Sequence, residues 1–280
     1  MGRYDGILIA SDFDHTLTDV YGAVPKRNRD AIRMFMAEGG RFTVASGRSV
    51  PMFRQKCALF ESNAPTILFN GGACYDFEKE RVVFGYPLPD LEHLIPEILS
   101  RYPLKNCEVQ GSAMHCVFRI DRERTQMFSE LGVRLSDKPY AEIDDPMYML
   151  FLGDDFIRPD DTTRDFQSGT PEIDAMFNDC IAWLEAQGPF AAVRSTRRNT
   201  EVMVRGVSKG TSARRLAKEL GCETLVCIGD AMNDLAMLRE ADLCFTPEDG
   251  DPSIRPMIGD RLRVVGPCGT GAVADVIERL

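Results

Sequence analysis

Short apolar runs alternate with amphipathic segments along the first 80 residues. The apolar run at residues 6–12 predicts a buried strand, and residues 25–38 place their apolar side chains on one face of a helix. Two further apolar runs, at residues 41–46 and 65–70, predict a second and a third strand. Strands that alternate with helices are typical of an α/β fold whose sheet is parallel and doubly wound.

The same pattern returns near the end of the chain. Ser208 and Gly221 are placed to begin and end a helix. The elements that we expect after it are a strand at 224–230, a helix at 233–241, strands at 242–247 and 261–265, and a helix at 270–280. Both ends of the chain therefore predict parts of one Rossmann-like α/β core.

The pattern differs over residues 81–202, which we expect to form an inserted α+β cap domain on a core made of residues 1–80 and 203–280. The strands that we expect in the insertion lie at 82–86, 108–119, 148–153 and, as a pair, 190–204. The helices that we expect there lie at 89–101, 122–131 and 171–187.

Composition excludes several classes of function. The net charge is −10 and the pI is about 4.9, which argues against a nucleic-acid partner, and the basic run at 194–199 is better explained as a solvated turn than as a ligand site. No apolar run approaches the length of about 18 residues that spans a membrane. Nine cysteines without an export signal predict reduced thiols in a cytoplasmic protein.

Polar residues close four of the predicted core strands. Asp12, Ser46, Asn70 and Asp230 each follow an apolar run. In open α/β sheets, ligands bind in the crevice outside the carboxyl ends of the strands, so these four residues are expected to meet at one edge of the sheet.

The acidic residues at this edge suit a hard cation. Asp12, Asp14 and Asp230 offer oxygen ligands of the kind that Mg²⁺ prefers, and the cation would offset the repulsion between the carboxylates. Lys209 is the candidate ammonium group beside a phosphate, and Ser46 followed by Gly47 could offer a hydroxyl and backbone N–H groups to it.

Four short motifs carry a resemblance to a known family. "DFDHT", "SGR", "SKG" and "GDAMND" resemble, in this order, the motifs of the haloacid dehalogenase-like phosphohydrolase superfamily. The insertion before the lysine motif, the "NGG" after the third strand and the closing "GTGAVADVIERL" resemble its Cof-type branch, whose members have a large α/β cap. The resemblance implies the Mg²⁺-dependent hydrolysis of small phosphorylated metabolites, foremost sugar phosphates.

The resemblance also implies a role for each matching residue. Asp12 would be the nucleophile that forms an aspartyl-phosphate, and Asp14 the general acid and base. Lys209 would hold the phosphoryl group and complete the catalytic set. The residues implied in contacts with substrate, phosphate or the surrounding loop are Thr16, Ser46, Gly47, Arg48, Asn70 and Gly71. The residues implied around the metal are Asp12, Asp14 through its backbone carbonyl, Asp230, Asn233 and Asp234.

Some alternatives stay open. Asp14 favours a phosphatase or a phosphomutase over a dehalogenase, and a non-catalytic phosphosugar-binding protein is the alternative from another class. His15 stands where many relatives have Gly, and we expect it to point away from the site. His115, Arg119 and Arg194 of the insertion could face the phosphate, although a structural role is favoured for each. The residues that select the substrate are expected in the cap.

Overall fold

A computed structural model of the chain describes residues 2–136, 138, 140–154, 170–196 and 198–280. Its strands are β1 (Ile7–Ser11), β2 (Arg41–Val44), β3 (Thr66–Leu68), β4 (Ala73–Asp76), β5 (Arg81–Gly85), β6 (Asn106–Gly111), β7 (Met114–Arg119), β8 (Arg134–Ser136), β9 (Met147–Gly153), β10 (Phe190–Thr196), β11 (Asn199–Val204), β12 (Thr224–Ile228), β13 (Leu243–Pro247) and β14 (Leu262–Val265). Its helices are α1 (Lys26–Ala37), α2 (Val50–Phe53), α3 (Ile95–Arg101), α4 (Arg122–Leu131), α5 (Pro171–Gln187), α6 (Lys209–Glu219), α7 (Leu235–Glu240), α8 (Ile254–Ile258) and α9 (Cys268–Glu278).

The core is a five-stranded parallel sheet in the order β14-β13-β12-β1-β2. Strand β1 pairs with β2 on one side and with β12 on the other, so the two ends of the chain share one sheet. Strand β1 is apolar and almost wholly buried, as expected for a parallel strand covered on both faces. The predicted α/β class with a doubly wound parallel sheet is confirmed.

A small antiparallel sheet extends the core beyond β2. A parallel bridge between Ala45 and Ile67 joins β3 to the core, and β3 then pairs with β4 and β4 with β5. Strand β4 was not predicted, because its four residues show no apolar period of their own. Because β5 pairs with β4 of this small sheet, the structure favours a start of the insertion after Gly85. The domain limits at 80/81 and 202/203 stay a prediction.

The insertion forms a six-stranded sheet in the order β10-β11-β9-β6-β7-β8. Adjacent strands in this sheet are antiparallel, except that β7 and β8 are parallel. One face packs against α3 and α5 in a separate apolar core, to which Val109, Leu150 and Phe177 belong. The other face is turned toward the carboxyl ends of the core strands, where it lines a cavity.

Helices α4 and α5 have the predicted limits, but α3 begins at Ile95 and not at residue 89. Residues 86–91 contain Pro87 and Pro89 and are irregular, and a turn follows in which the N–H of Leu94 donates to the carbonyl of Leu91. Pro96 lies in the first turn of α3, where a missing N–H is tolerated.

The described residues include all nine cysteines and contain no disulfide; two of these cysteines are half-buried and the others buried. Among the described residues, no helix combines the length and the apolar character needed to cross a membrane.

Candidate active site

The loop after β1 presents the first acidic residues. Phe13 and Leu17 are fully buried and anchor a tight turn, and the N–H of Asp12 donates to the carbonyl of Ile228 at 2.9 Å. Asp12 therefore lies directly beside the end of β12. His15 has left-handed backbone, with φ at 60°, and is among the residues that line the cavity, while the direction expected for its side chain stays a prediction.

Lys209 connects the two ends of the chain at this edge. Its ammonium Nζ is 2.5 Å from Oδ1 of Asp12 and 2.7 Å from Oδ1 of Asp234, and the side chain has no exposed surface. Ser208 caps α6 by accepting a hydrogen bond from the N–H of Thr211, which fixes Lys209 in the first turn. Burial opposes the charge, but the carboxylates of Asp12 and Asp234 raise the pKa of Lys209 above its ordinary value. The lysine is thus an ammonium at neutral pH.

Asp12, Asp230 and Asp234 form a cluster in which one oxygen from each lies within 4.8 Å of the others. Burial, followed by the negative charge of Asp234, raises the pKa of Asp12 well above its ordinary value, although Lys209 acts in the opposite direction. A bound cation would remove this penalty, and carboxylate oxygens are ligands of the kind that Mg²⁺ prefers, beside its waters and phosphate oxygens. The residues at this place therefore fit a magnesium ion.

Hydrogen bonds fix the orientation of this cluster. Oδ2 of Asp234 accepts from the N–H groups of Asp230 and Ala231, both at 3.0 Å. The hydroxyl of Thr16 donates to Oδ1 of Asp230 at 2.7 Å, which ties the loop after β1 to the segment after β12. Thr16 therefore supports the loop by contacting a carboxylate of the cluster.

Asp14 is not one of the clustered carboxylates and forms an ion pair with Arg48. Arg48 donates to both of its carboxylate oxygens, from Nε at 2.8 Å and from Nη2 at 2.9 Å. Burial acts to raise the pKa of Asp14, but the charge and hydrogen bonds of Arg48 lower it overall. In this arrangement Asp14 is ionised, and the guanidinium of Arg48 has an anionic partner.

The ends of β2 and β3 supply the amide and hydroxyl groups. Oγ of Ser46 accepts from the N–H of Arg48 at 3.2 Å, and the side-chain amide of Asn233 donates to Oδ1 of Asn70 at 3.2 Å. Gly47 leaves room for the side-chain amide of Asn70, because a Cβ at position 47 would lie 3.1 Å from it. Asn233 therefore contacts Asn70, while both residues line the cavity.

Gly71 allows this turn to approach α6 closely. Its φ is 102°, and a Cβ there would lie 2.1 Å from the carbonyl oxygen of Ser208. The carbonyl of Gly71 accepts a hydrogen bond from the hydroxyl of Ser212 at 2.7 Å. Gly71 therefore acts on the site by seating the helix that presents Lys209.

The cavity has a volume of about 1500 Å³ and lies between these core residues and the inserted sheet. On the side of the insertion, its lining includes Gln110, Arg124, Phe151 and Glu201, which sequence reasoning did not single out. For Gln110 and Glu201 the signal is alternation, since Glu108 and Gln110 on β6, and Asn199 and Glu201 on β11, are polar at every second position of buried strands. No such signal marks Arg124 or Phe151.

The three cap residues named from the sequence have different surroundings. Arg194 lines the cavity and donates to Oδ1 of Asp174 at 2.9 Å. His115 is buried, with Nε2 at 2.8 Å from the hydroxyl of Ser49, and Arg119 donates to the carbonyl of Leu104. Arg197 of the basic run lies outside the described residues.

Comparison with known proteins shows the family to which this chain belongs. The family described as haloacid dehalogenase-like hydrolase matches residues 9–258. A 5-amino-6-(5-phospho-D-ribitylamino)uracil phosphatase of Bacillus subtilis (strain 168), YcsE, is 22% identical over 238 residues, which are 84% of this chain and 81% of that protein.

Solved structures are similar along nearly the whole chain. A haloacid dehalogenase-like hydrolase from B. subtilis has a TM-score of 0.76 and 20% identity, covering 98% of this chain and 99% of that one. The subclass IIB sugar phosphatase BT4131 has a TM-score of 0.75 and 15% identity, with 97% and 98% covered. At these identities the likeness shows the fold.

Proposed function

Because this chain belongs to the haloacid dehalogenase-like hydrolase family and is a phosphatase of its Cof-type branch, we propose that it hydrolyses small phosphorylated metabolites, foremost sugar phosphates, with Mg²⁺. The observation that supports this most is the contact of Lys209 with Asp12 and Asp234 beside Asp230. Binding a phosphate does not need a nucleophile and an acid two positions apart, whereas hydrolysis through a covalent intermediate uses both, and Asp12 and Asp14 provide them.

Asp12 is the proposed nucleophile. One of its carboxylate oxygens bonds to phosphorus while the bond from phosphorus to the leaving oxygen breaks, which gives an aspartyl-phosphate. Asp14 donates a proton to the leaving oxygen and later accepts one from water, which cleaves the acyl phosphate and restores Asp12. The ammonium of Lys209 donates hydrogen bonds to the phosphoryl oxygens as they approach the negative carboxylates.

Asp12, Asp230 and Asp234 are the side chains proposed to hold Mg²⁺, together with the backbone carbonyl of Asp14 and support from Asn233. Bound there, the ion supplies positive charge that offsets the repulsion between the phosphate and the carboxylates. Thr16 and the N–H groups that bind Asp234 keep the carboxylates in place for it.

The ion pair between Asp14 and Arg48 has to open during this cycle. Asp14 needs a proton to serve as an acid, and Arg48 favours its ionised form. A phosphoryl group that enters between Ser46 and Lys209 offers the guanidinium another anionic partner. Arg48 is therefore proposed as a phosphate contact that releases Asp14 when the substrate binds.

The comparisons support a small substrate. The relative YcsE is named for a phosphate ester on a ribityl chain, and BT4131 is described as a sugar phosphatase. We propose a substrate of that class for this chain, in the cytoplasm, with neither a nucleic acid nor a membrane as partner.

The test is phosphate release from sugar phosphates, nucleotides and p-nitrophenyl phosphate, with Mg²⁺ and with EDTA. Asp12→Asn should lower kcat by at least about 1,000-fold while the circular dichroism spectrum is unchanged. Asp260→Asn, which changes an exposed carboxylate, is the matched control and should keep full activity. Full activity of Asp12→Asn would rule the mechanism out, and dependence on an added sugar bisphosphate would indicate a phosphomutase.

A further inference from the structure

The inserted sheet presents polar side chains to the cavity from the middle of its strands. Along β11 and β9, Val202 and Leu150 enter the apolar core of the insertion, and Glu201 and Phe151 line the cavity on the opposite face. Gln110 on β6 faces the same way. The register pairs Phe151 with Glu201 on one side and with a β6 residue on the other, so this face is continuous.

Two of these side chains keep buried acceptor atoms. Glu201 is 6% exposed, and its Oε1 accepts a hydrogen bond from the hydroxyl of Ser195 at 2.5 Å. Gln110 is 1% exposed, and its Nε2 donates to Glu108 at 2.6 Å. Among the described residues, neither Oε2 of Glu201 nor Oε1 of Gln110 has a hydrogen-bond partner. Buried acceptors are normally satisfied, so two of them lining one cavity point to a ligand that brings donors.

The positive charges on this face already have anionic partners. Arg124 forms an ion pair with Glu108 and lies 3.8 Å from the centre of the Phe151 ring. Arg194 donates to Asp174. Glu201, in contrast, forms no ion pair with any residue that the structure describes. Burial raises the pKa of Glu201 to about 7, so above this pH a second negative group on a ligand would meet an ionised carboxylate on this face, where Arg124 and Arg194 already have anionic partners.

Glu201 lines the same cavity as Lys209. The positive charges of Lys209 and Arg124 both act to lower the pKa of Glu201, so both lie within electrostatic reach of its carboxyl group. Glu201 and Gln110 lie two strands apart, on either side of β9, and Gln110 is also two residues further along than the β6 residue level with Glu201, so their backbones are roughly 12 Å apart. A single hydroxyl does not span this distance, but a chain of several carbon atoms does.

We propose that Glu201, positioned by Ser195, forms with Gln110 the subsite for the leaving group, and that this group is neutral or cationic and carries hydroxyl or amino donors. Phosphate esters of polyols, aldoses and amino sugars fit this description. Esters with a carboxylate or a second phosphate at the far end do not. The proposal rests on the phosphatase activity proposed above and specifies its substrate.

A matched pair of substrates tests the proposal. Sorbitol 6-phosphate and 6-phosphogluconate have six carbon atoms each and differ at the far end, where the second has a carboxylate. At about pH 8, where Glu201 is ionised, the wild type should prefer sorbitol 6-phosphate in kcat/KM. Glu201→Leu should lower kcat/KM for sorbitol 6-phosphate roughly 10- to 100-fold, the range expected for hydrogen bonds to a charged group, and change p-nitrophenyl phosphate turnover less than about threefold.

Glu201→Gln keeps the shape and removes the charge, so it should narrow the preference between the two six-carbon esters by about tenfold. The control is Glu130→Gln, which changes an exposed residue on α4. It should change neither the ratio of kcat/KM between the two esters nor the activity on sorbitol 6-phosphate relative to p-nitrophenyl phosphate. An equal loss on p-nitrophenyl phosphate would overturn the proposal, because Glu201 would then act on the fold or the chemistry. A wild type that prefers 6-phosphogluconate would overturn it as well.

A binding measurement separates this inference from the proposed activity. Calorimetric titration of Asp12→Asn with the two six-carbon esters needs no turnover. Tighter binding of sorbitol 6-phosphate, lost when Glu201→Leu is added, supports the subsite even if the wild type hydrolyses nothing. Equal binding of both esters, or no effect of Glu201→Leu, refutes the subsite even if hydrolysis is fast.

Discussion

Among single side chains, Lys209 shows how strongly the site depends on matched charge. Its ammonium group is fully buried between the carboxylates of Asp12 and Asp234, which are themselves almost inaccessible. Removing one partner of a buried ion pair typically costs about 3–5 kcal/mol, because the remaining charge stays buried without compensation.

We therefore expect Lys209→Met to lower the free energy of unfolding by about 3–5 kcal/mol in EDTA, measured by urea titration. Added Mg²⁺ should restore part of this loss, since a cation at Asp12, Asp230 and Asp234 replaces the missing positive charge. Lys218→Met, which changes an exposed lysine of the same helix, should have an effect within about 0.5 kcal/mol. A loss that Mg²⁺ does not reduce would contradict the metal site.

At the scale of helices, strands and turns, local signals were predictable and contacts between distant strands were not. Helix α4 has the predicted limits because Asp121 caps its first turn and Gly132 ends it. Both signals are local, since the two residues directly flank the helix in the sequence. Asp12 and Asp230 were predicted to meet because strand ends converge in any parallel sheet. The cavity face that contains Glu201 was not predicted, since it depends on how the inserted sheet lies over the core.

The turn at Gly71 gives a test at this scale. Gly71→Ala places a methyl group against the carbonyl of Ser208 and should displace the start of α6, lowering kcat at least about tenfold, because small misplacements of catalytic groups are costly. Gly22→Ala is the control: its φ is also positive, at 78°, but no atom lies within 4 Å of the new Cβ. It should lose only roughly 1–2 kcal/mol of stability, seen in thermal unfolding, with kcat unchanged. Equal effects of the two variants on kcat would contradict this reading.

On the scale of the whole molecule, His115 links the insertion to the core. It lies on β7, and its Nε2 is 2.8 Å from the hydroxyl of Ser49, the residue that caps α2. Burial lowers the pKa of His115 to about 4, with Glu108 and Asp145 acting against the shift and Arg124 reinforcing it. The native protein therefore keeps this histidine neutral at a pH where the unfolded chain protonates it.

We expect the buried, neutral His115 to lower the free energy of unfolding of the protein in acid. Below about pH 6.5 the unfolded chain takes up a proton that native His115 does not, so the stability of the wild type relative to His115→Gln should fall by roughly 3 kcal/mol as the pH drops from 6.5 to 4. Chemical unfolding of both proteins across this range measures it. Glu201, whose pKa is raised to about 7 by burial, contributes with the opposite sign in an overlapping window, so only the difference between the two proteins isolates His115.

His93→Gln, in which an exposed histidine of the insertion is replaced, should show no such pH dependence relative to the wild type. A difference between wild type and His115→Gln that stays constant from pH 4 to 6.5 would contradict the assignment.

The division of the core sheet between two distant segments has a consequence for synthesis. Strand β1 leaves the ribosome early, but its partner β12 follows more than 200 residues later. At a translation rate of about 5–20 residues per second, one edge of β1 remains unpaired for roughly 10–40 s. The inserted sheet is contiguous in the chain and can form during that interval. The apolar edge of β1 is therefore the part of the nascent chain that most needs protection by chaperones against pairing with other chains.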